Sequence, residues 1–399
     1  MPKAKLIQAA PQARVAAAGG PKISLAMIVR NEAEGLARCL CSVAAGVDEI
    51  VIVDTGSTDD TVAIARGFTN RVFQIEWPDD FAAARELAFA KARGEWILWL
   101  DGDDEFSGHL RLKDLVKSAA DDVTAFAFRY ITGLDECGQV TQQFWRERLV
   151  RAGRYRWTGR IHEVLEPIGE GRQVESDACV VTHRGKTGAA AAGLARNVRM
   201  LREEVAKGGQ VAPRLLFYLG RDLMASGELE EARIVLERYL TLSTWAEEAY
   251  NARLFLARIS LLTGNQIEAY RLALEALGEW PAWPQAYFLL AEIAYYRAQW
   301  PKVMAWCDIG RGLPLPDASL FLDPLALRAG WIIYYTNALY HCGHVSEALE
   351  WTRRALDLVP RDVFHSRNLA FFTAAALGSS AGSPRAPAVE LTSPAAGPS

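Results

Sequence analysis

The sequence predicts an α/β domain with a mostly parallel sheet, followed by an all-α domain of helical repeats. Apolar runs of strand-like composition alternate with helical patterns across residues 22–190. From about Asn197 the chain is rich in Leu, Ala, Glu and Arg at helical spacing, and a Gly-x-x-x-x-Ala motif recurs. We therefore expect an α/β domain at 22–190 and repeats at 197–376. Residues 1–21 are predicted to be flexible and residues 379–399 to be disordered.

The first half contains four strand-like runs separated by helical patterns. The runs are short and apolar, as expected of strands buried on both faces. The first helical pattern has an apolar face formed by Leu36, Leu40 and Val43, and Asn31 is its predicted N-cap. Strands alternating with helices are typical of a parallel sheet with right-handed crossovers. The predicted strands are Ile23–Val29, Ile50–Val53, Arg71–Ile75 and Trp96–Leu100, and the further helices are Val62–Arg66 and Phe81–Ala92.

The most informative stretch is WILWLDGDDE, from Trp96 to Glu105. An apolar strand leads directly into four carboxylates within five residues, which repel one another unless a cation is present. The D-x-D spacing, with Gly102 keeping the turn small, suits a divalent ion held by one or two carboxylates and by substrate phosphates. Asp104 and Glu105 either support that ion indirectly or are solvated. The alternative for the whole stretch is a solvated acidic turn.

Polar residues follow three of the predicted strands. Asn31, Asp54 and Asp101 lie at or just beyond the carboxyl ends of strands. Open α/β sheets bind ligands in the crevice outside these ends. We therefore expect the three residues to lie along one crevice. The alternative for Asp54 is a cap for the helix that follows it.

Three segments resemble the family 2 glycosyltransferases with the GT-A fold: MIVRNEAEGLARCL, DEIVIVDTGSTDDT and FAAARELAFAKARGEWILWLDGDDE. They occur in the order and at the intervals expected of the family, and the resemblance covers residues 22–184. It implies a Rossmann-like GT-A domain that transfers a sugar from a nucleotide diphosphate sugar, usually UDP-linked, with Mg²⁺ or Mn²⁺. The sequence is also similar to bacterial members with a helical-repeat tail, which include peptide or protein glycosyltransferases and lipopolysaccharide-core transferases.

The resemblance implies roles for individual residues near the nucleotide. Asp54 matches the aspartate that accepts a hydrogen bond from the uracil edge. Val29 and Glu32 match positions that line the base and ribose, and Asn31 joins this donor-binding set at the end of the first strand. Glu32 has an alternative role as a first-turn acid that the helix dipole favours.

The resemblance also assigns residues to the diphosphate and the metal. Arg85 matches a family arginine near the diphosphate, where a guanidinium pairs well with phosphate. The family usually has Asn after this arginine, and Glu86 replaces it here, which puts the local contacts in doubt. Asp101 is expected to face the ribose and sugar, and Asp103 to hold the metal.

A later segment, WTGRIHE at Trp157–Glu163, is close to the W-x-G-x-I-H-E of these transferases. Inverting transfer needs a general base that deprotonates the acceptor as it attacks the anomeric carbon. Glu163 and His162 are the candidates, and we favour Glu163 as the base, with His162 positioning the sugar or acceptor.

His183 resembles a late family histidine. It is expected to be a metal ligand, since imidazole suits Mn²⁺, or else a phosphate contact or a structural histidine.

Six arginines lie between Arg146 and Arg160. Within this segment, RLVR at Arg148–Arg151 matches a family R-L-F-R segment. One interpretation is an edge strand protected from aggregation by basic residues. The other is a patch that binds an anionic acceptor or the diphosphate. The pattern alone leaves both open.

The repeat motif begins at Gly227, Gly264 and Gly343, with a degenerate copy at Ala298. Its first two spacings are close to the ~34 residues of tetratricopeptide helix pairs. Such pairs stack into a solenoid with an extended concave surface. We expect that surface to bind a peptide, protein or glycan acceptor, or to mediate homodimerisation. The tryptophans predicted to pack in the core or between repeats, rather than to form a sugar platform, are Trp245, Trp280, Trp283, Trp300 and Trp331.

Composition favours a globular protein, since half of the residues are hydrophobic and 23% are charged. The longest apolar runs are too short for a membrane span. A net charge of −4 disfavours nucleic acid as a partner. The six cysteines include no C-x-x-C pair, and the first residues have no signal-peptide core, so we predict a cytoplasmic protein.

The sequence disfavours two other functions. A sugar nucleotidyltransferase is disfavoured because no Gly-rich, basic first loop for a triphosphate is present. A repeat scaffold with a degenerate transferase domain is disfavoured because Asp54, Asp101, Asp103 and His162–Glu163 are all retained. The acceptor stays open between a peptide thiol or hydroxyl, a protein and a lipid-linked glycan.

Overall fold

The computed structural model describes residues 22–134, 138, 140–185, 190–207, 211–314 and 326–377. The chain divides into two compact units, Met1–Thr132 with Gln143–Ala190 and Gly133–Gln142 with Ala191–Ser399. The segments predicted to be flexible or disordered, 1–21 and 379–399, lie outside the described residues.

The first unit is an α/β domain with a mixed, mostly parallel sheet, as the sequence predicts. Its strands are β1 (Ile23–Val29), β2 (Glu49–Asp54), β3 (Val72–Gln74), β4 (Trp96–Trp99), β5 (Asp104–Ser107), β6 (Val123–Leu134), β7 (Val140–Arg151), β8 (Tyr155–Thr158), β9 (Val164–Pro167) and β10 (Arg172–His183). The main sheet has the order β3-β2-β1-β4-β7-β6-β10-β5. Parallel pairs join β1 to β2 and β4, β2 to β3, and β6 to β10, whereas β7 and β5 are antiparallel to β4 and β10. β8 and β9 form a separate hairpin.

Strand β4 is buried on both faces, as its apolar run predicts. The helices described in this unit are α1 (Leu36–Val43), α2 (Thr61–Arg66), α3 (Phe81–Lys91) and α4 (Leu112–Ser118). Trp96 and Leu98 pack into the cluster that holds the apolar face of α1. Ile97 and Trp99 pack into the cluster that holds Ala88 of α3. Burying a Leu or Ile side chain stabilises by about 1.5–3 kcal/mol, so these two clusters hold β4 at the centre of the sheet.

Helix α1 begins further along the chain than it would if Asn31 were its N-cap. Gly35 precedes its first residue, and the backbone N–H of Leu36 donates to the Glu32 carbonyl at 2.9 Å. Asn31 lies in the left-handed region with φ +52° and does not cap α1, so that prediction is wrong. The predicted buried face of the helix is confirmed.

The second unit is helical in its described part from residue 190 onward, as predicted, and residues 133–142 add the adjoining ends of β6 and β7. Its described helices are α5 (Ala190–Ala206), α6 (Pro213–Ala225), α7 (Leu229–Leu242), α8 (Ala246–Leu262), α9 (Gln266–Glu279), α10 (Pro284–Tyr296), α11 (Trp300–Arg311), α12 (Ile332–His341), α13 (Val345–Leu358) and α14 (Val363–Ala376). Within the described part of the chain, no helix combines the length and apolar character needed to cross a membrane.

The recurring motif lies at the turn between paired helices. Gly227, Gly264 and Gly343 have φ values of +84°, +83° and +85°, and each precedes the second helix of a pair. A Cβ at any of these glycines would meet nothing within 4 Å, so the backbone conformation rather than lack of space requires glycine. Ala298 occupies the same place between α10 and α11, also in the left-handed region with φ +52°.

The motif alanines pack inside the repeats. Ala232, Ala269 and Ala348 are all fully buried on the second helices of their pairs. This agrees with the tetratricopeptide-like arrangement, in which a small residue lets paired helices approach closely. Two of the tryptophans, Trp283 and Trp331, are buried as predicted, whereas Trp245 is 37% exposed.

We predict that Ala298→Gly stabilises the repeat unit by about 1 kcal/mol, because an L-residue in the left-handed region costs about 1–2 kcal/mol. Urea unfolding followed by far-ultraviolet circular dichroism measures the change. Gly264→Ala should lower the free energy of unfolding by a similar amount. Ala374→Gly, at an exposed position inside α14, is the control and should destabilise by about 0.5–1 kcal/mol. Destabilisation by Ala298→Gly would contradict the backbone interpretation.

Candidate active site

The loops of the candidate site follow three adjacent parallel strands. Val29 of β1 pairs with Asp54 of β2, and β4 lies on the other side of β1. The loops after these strands therefore start at the same edge of the sheet. Asn31 and Asp101 lie on these loops and Asp54 is the last residue of β2, so all three are at the edge where we expected one crevice.

Asp54 is fully buried at the end of β2. Its Oδ1 accepts hydrogen bonds from the backbone N–H groups of Gly56 at 3.2 Å and Ser57 at 3.1 Å. Its Oδ2 is buried and has no hydrogen-bond partner among the described residues. Asp59, not Asp54, accepts from the backbone N–H of Thr61 at the start of α2, so the alternative of a helix cap is wrong. A buried acceptor without a donor is costly in water-free surroundings, and a bound N–H group would satisfy it.

The segment after β1 is tied to the segment after β2. The Val29 carbonyl accepts from the backbone N–H of Thr55 at 2.9 Å. The Oδ1 of Asn31 accepts from the Thr58 N–H at 2.8 Å, and the Asn31 N–H donates to Ser57 Oγ at 2.9 Å. Asn31 thus holds two loops together. These hydrogen bonds, and not a capping role, account for its left-handed backbone.

Glu32 lies against the D-x-D turn. A Cβ at position 102 would approach the Cγ of Glu32 to 2.5 Å, so any other residue there would displace the Glu32 side chain. Glu32 precedes α1 by four residues, and no acid lies in the first turn of that helix, so its alternative role as a first-turn acid is wrong. The contact joins the loop after β1 to the loop after β4.

Asp103, Asp104 and His183 form a cluster that could hold a metal ion. One ligand atom from each lies within 4.8 Å of the others. Asp104 begins β5 and pairs with His183 across the antiparallel β5–β10 ladder. The Nδ1 of His183 is 3.3 Å from Asp104 Oδ1 and 3.5 Å from Asp103 Oδ1. Two carboxylates and an imidazole within this distance fit Mg²⁺ or Mn²⁺, with the imidazole favouring Mn²⁺.

The pKa values in this cluster are shifted by burial and by neighbouring charges. Burial, together with the charges of Asp101 and Asp104, raises the pKa of Asp103 despite the opposing effect of His183. Burial alone would lower the pKa of His183. The hydrogen bond with Asp104 and the charges of Asp103 and Asp104 outweigh it, so the pKa of His183 is raised. Asp103 and His183 therefore retain protons more readily than isolated side chains do, as expected where a cation would relieve the repulsion.

Asp104 and Glu105 differ in their surroundings. Asp104 is fully buried, and its Oδ2 accepts from the backbone N–H of Asp101 at 3.0 Å. Glu105 is partly exposed and pairs with Arg184 at 2.8 Å. The solvated interpretation is therefore wrong for Asp104.

Arg148 is a site residue to which the sequence analysis assigned no role. It is fully buried on β7, with its guanidinium between the rings of Trp99 and Tyr130, 3.9 and 4.2 Å from their centroids. Its Nη1 is 3.2 Å from Asp104 Oδ2 and 3.8 Å from Asp101 Oδ2. The only sequence signal was its match to the R-L-F-R segment, which carries no information about the partner.

Arg85 joins the D-x-D turn to the WTGRIHE segment. From α3, its Nη2 donates to Asp101 Oδ1 at 2.8 Å and its Nε donates to Glu163 Oε1 at 2.7 Å. The charge of Arg85, followed by that of Arg148, outweighs burial and holds the pKa of Asp101 well below its usual range. The Arg85 guanidinium also lies 4.9 Å from the ring centroids of Trp99 and Trp157.

The WTGRIHE segment forms the turn between β8 and β9. Gly159 and His162 both have positive φ, +87° and +52°. The carboxylate of Glu86 accepts from the backbone N–H of Trp157, so the residue that departs from the family pattern anchors this segment to α3. The side chain of Glu163 is 11% exposed and is held by Arg85. The turn therefore brings Glu163 to the same guanidinium as Asp101.

We predict that Arg148→Met destabilises the first unit by about 3–5 kcal/mol, because it leaves buried carboxylates without their partner. Urea unfolding followed by tryptophan fluorescence measures the loss. The double variant Arg148→Met/Asp104→Asn should recover part of it, since one uncompensated charge is removed. Strictly additive losses would show that Arg148 and Asp104 do not depend on each other.

Comparisons with known proteins agree with this architecture. The sequence model "Glycosyl transferase family 2" matches residues 24–180. A TPR repeat-containing protein of Synechococcus elongatus is 45% identical over 119 residues, covering 30% of this chain and 29% of that protein. The SPbeta prophage-derived glycosyltransferase SunS of Bacillus subtilis is 28% identical over 222 residues, covering 53% of this chain and 51% of SunS. An uncharacterized glycosyltransferase of Rickettsia felis is 40% identical over 90 residues, covering 23% of this chain and 31% of that protein.

The chain spans about half the length, or less, of these curated relatives. The family match and the α/β sheet cover the first unit, and the paired helices with their glycine turns cover the second. The chain therefore carries a glycosyltransferase family 2 domain, followed by tetratricopeptide-like helical repeats.

Proposed function

We propose that this chain is a metal-dependent, inverting glycosyltransferase that moves a sugar from a UDP-sugar to a peptide, protein or glycan acceptor. The observation that carries the proposal is the chemistry at the ends of β2 and β4. Asp54 presents a buried Oδ2 without a donor among the described residues. Asp103 and Asp104 form a cation-binding cluster with His183. The Asp54 oxygen suits a uracil N–H, and the Asp103–Asp104–His183 cluster suits a divalent cation beside a diphosphate.

The donor would lie along the loops after β1, β2 and β4. Asp54 would accept the uracil N–H, while Val29, Asn31 and Glu32 would line the base and ribose. The hydrogen bonds between Asn31 and the segment after β2 support this, because they hold the two loops in one arrangement. A preformed surface binds without a further ordering cost.

The metal would be held by Asp103 and His183, with Asp104 behind them. When bound, Mg²⁺ or Mn²⁺ would supply positive charge that stabilises the leaving diphosphate. Asp101 would face the ribose and sugar, and its ion pair with Arg85 at 2.8 Å holds it in place. Arg85 would also contribute positive charge near the diphosphate.

Glu163 is the proposed general base. The acceptor nucleophile would attack the anomeric carbon, its proton would pass to Glu163, and the bond to the UDP oxygen would break with the electron pair leaving on UDP. The hydrogen bond from Arg85 supports this role, because it fixes the carboxylate on the side of the turn that carries Asp101. His162 would position the sugar or the acceptor.

The repeat unit is the proposed acceptor-binding element. Stacked helix pairs present extended surfaces suited to peptides, proteins and glycans. The paired helices α6–α7, α8–α9, α10–α11 and α12–α13 support the assignment. A second copy of the chain is the alternative occupant of this surface.

We predict that UDP binds more tightly with Mn²⁺ than without it, and that Asp103→Asn abolishes this dependence. The reason is that a divalent cation held by Asp103 and His183 would supply positive charge for the diphosphate. Isothermal titration calorimetry measures both affinities. Asp177→Asn, an exposed acid on β10, is the matched control and should behave like the unaltered protein.

Absence of uridine nucleotide binding, with or without Mn²⁺, would support the scaffold alternative and overturn the proposal. Binding that is independent of Mn²⁺ in the unaltered protein would retain a nucleotide site but remove the metal from it. These outcomes are separable in one set of titrations.

We predict that Glu163→Gln lowers the rate of sugar transfer by about 10²–10⁴-fold, the usual contribution of a general base. Gln keeps an acceptor oxygen for Arg85, so UDP affinity should stay nearly unchanged. A donor screen by hydrolysis, followed by mass spectrometry of candidate acceptors, defines the assay. Glu105→Gln is the control. If Glu163→Gln retains the full rate while His162→Ala loses it, the two roles are reversed.

A further inference from the structure

The arginine-rich stretch from β7 to the β8–β9 turn consists mostly of internally bonded side chains. Arg151 Nε donates to the Val123 carbonyl at 2.7 Å, and Arg156 pairs with Glu166 at 3.1 Å. Arg160 pairs with Asp79. The remaining members bond in the same way, Arg148 to Asp104 and Arg154 to the Ile168 carbonyl. The stretch as a whole is therefore not an open anion-binding patch.

Arg146 differs from the other five. Among the residues that the structure describes, no carboxylate or carbonyl oxygen lies within hydrogen-bond distance of its guanidinium. The side chain is half-buried, and its guanidinium carbon is 5.0 Å from the ring centroid of Trp99 and 5.7 Å from that of Tyr130. Arg146 is two residues before Arg148 on β7, so both side chains lie on the same face of the strand.

Arg146 interacts electrostatically with Asp101 of the D-x-D turn. Its charge reaches Asp101 and helps to lower the pKa of that carboxyl, after the larger effects of Arg85 and Arg148. Asp101 already has both of those arginines as ion-pair partners, at 2.8 and 3.8 Å. Arg146 is therefore close enough to act on the site electrostatically without being neutralised by a direct ion pair.

Carboxylates and guanidinium groups are mixed around Trp99 and the D-x-D turn. The site contains the carboxylates of Asp101, Asp103, Asp104 and Glu163 and the guanidinium groups of Arg85, Arg146 and Arg148. Glu32, whose side chain lies against Gly102 of the same turn, adds a further carboxylate, so the acids outnumber the arginines and a divalent cation would offset the excess. The uncommitted guanidinium and the cation would then both need an anionic partner.

We propose that Arg146 contacts a phosphate oxygen of the donor diphosphate, a role that rests on the proposed function of this site. The diphosphate is the anion that a cation on Asp103 would attract, and Arg146 is the arginine against the Trp99 ring that has no oxygen partner among the described residues. Its contact with the faces of Trp99 and Tyr130 limits the rotation of the guanidinium, so less freedom is lost on binding. A guanidinium also matches the geometry of two phosphate oxygens, which an ammonium does not.

The test is calorimetry of UDP and uridine, each with Mn²⁺, on the unaltered protein and on Arg146→Met. UDP affinity should fall about ten- to hundredfold, the usual effect of losing a charged hydrogen bond, while uridine affinity stays unchanged. Arg146→Lys should restore part of the UDP affinity, because it keeps the charge but not the planar fork. Arg151→Met is the matched control: Arg151 lies on the same strand and over the Trp96 ring at 4.6 Å, and its loss should leave UDP affinity unchanged.

Three results would overturn the inference. Unchanged UDP affinity in Arg146→Met would show that the arginine does not touch the phosphates. Equal weakening of UDP and uridine, in Arg146→Met or in Arg146→Lys, would show a general effect on the fold of the site. Failure of the unaltered protein to bind either ligand would overturn both this inference and the proposed function, whereas the first two results leave the proposed function intact.

Discussion

The ion pair between Asp104 and Arg148 is the interaction on which the candidate site depends. Both side chains are fully buried, and the guanidinium lies between two aromatic rings. Taking two charges out of water is costly, and a buried pair persists only with good geometry and further hydrogen bonds. Here one Asp104 oxygen faces Arg148 while the other faces His183 and Tyr130. The pair thus joins β7 to the β5–β10 ladder and fixes the orientation of the Asp104 carboxylate beside Asp103 and His183.

A second guanidinium extends this arrangement to the other side of the site. Arg85 holds Asp101 and Glu163 at once, so the turn after β4 and the turn between β8 and β9 share one partner. Glu86, next along α3, bonds to the backbone of Trp157 and holds the same turn. Because these groups are anchored to strands and a helix, their geometry depends on packing rather than on loop flexibility, as functional sites require.

The features that the sequence predicts correctly are those that depend on a few neighbouring residues. Apolar runs indicated β1, β2 and β4, and the recurring glycines indicated the turns of the repeats, because each feature depends on a few neighbouring residues. The sequence could not show that Asp104 is buried, since D-D-E reads as solvated unless β5 is known to pair with β10. Nor could it show that Arg148 has Asp104 as its partner, 44 positions earlier in the chain. The capping rule failed for Asn31 because the loop after β2, not α1, provides its hydrogen-bond partners.

The partners of each carboxylate distinguish the roles that the D-x-D pattern leaves open. Asp101 is already paired with two arginines, so it is poorly placed to be the main ligand of a cation despite its position in the motif. Asp103 has His183 as its ion-pair partner and, among the described residues, no guanidinium within 4.0 Å. A cation would meet the least competition there. Among the described residues, Asp54 accepts hydrogen bonds from backbone N–H groups through Oδ1, and its Oδ2 has no partner, which would suit a neutral donor. Electrostatic partners, rather than the order of acids in the sequence, therefore distinguish the proposed roles of Asp54, Asp101 and Asp103 in nucleotide binding, positioning and cation binding.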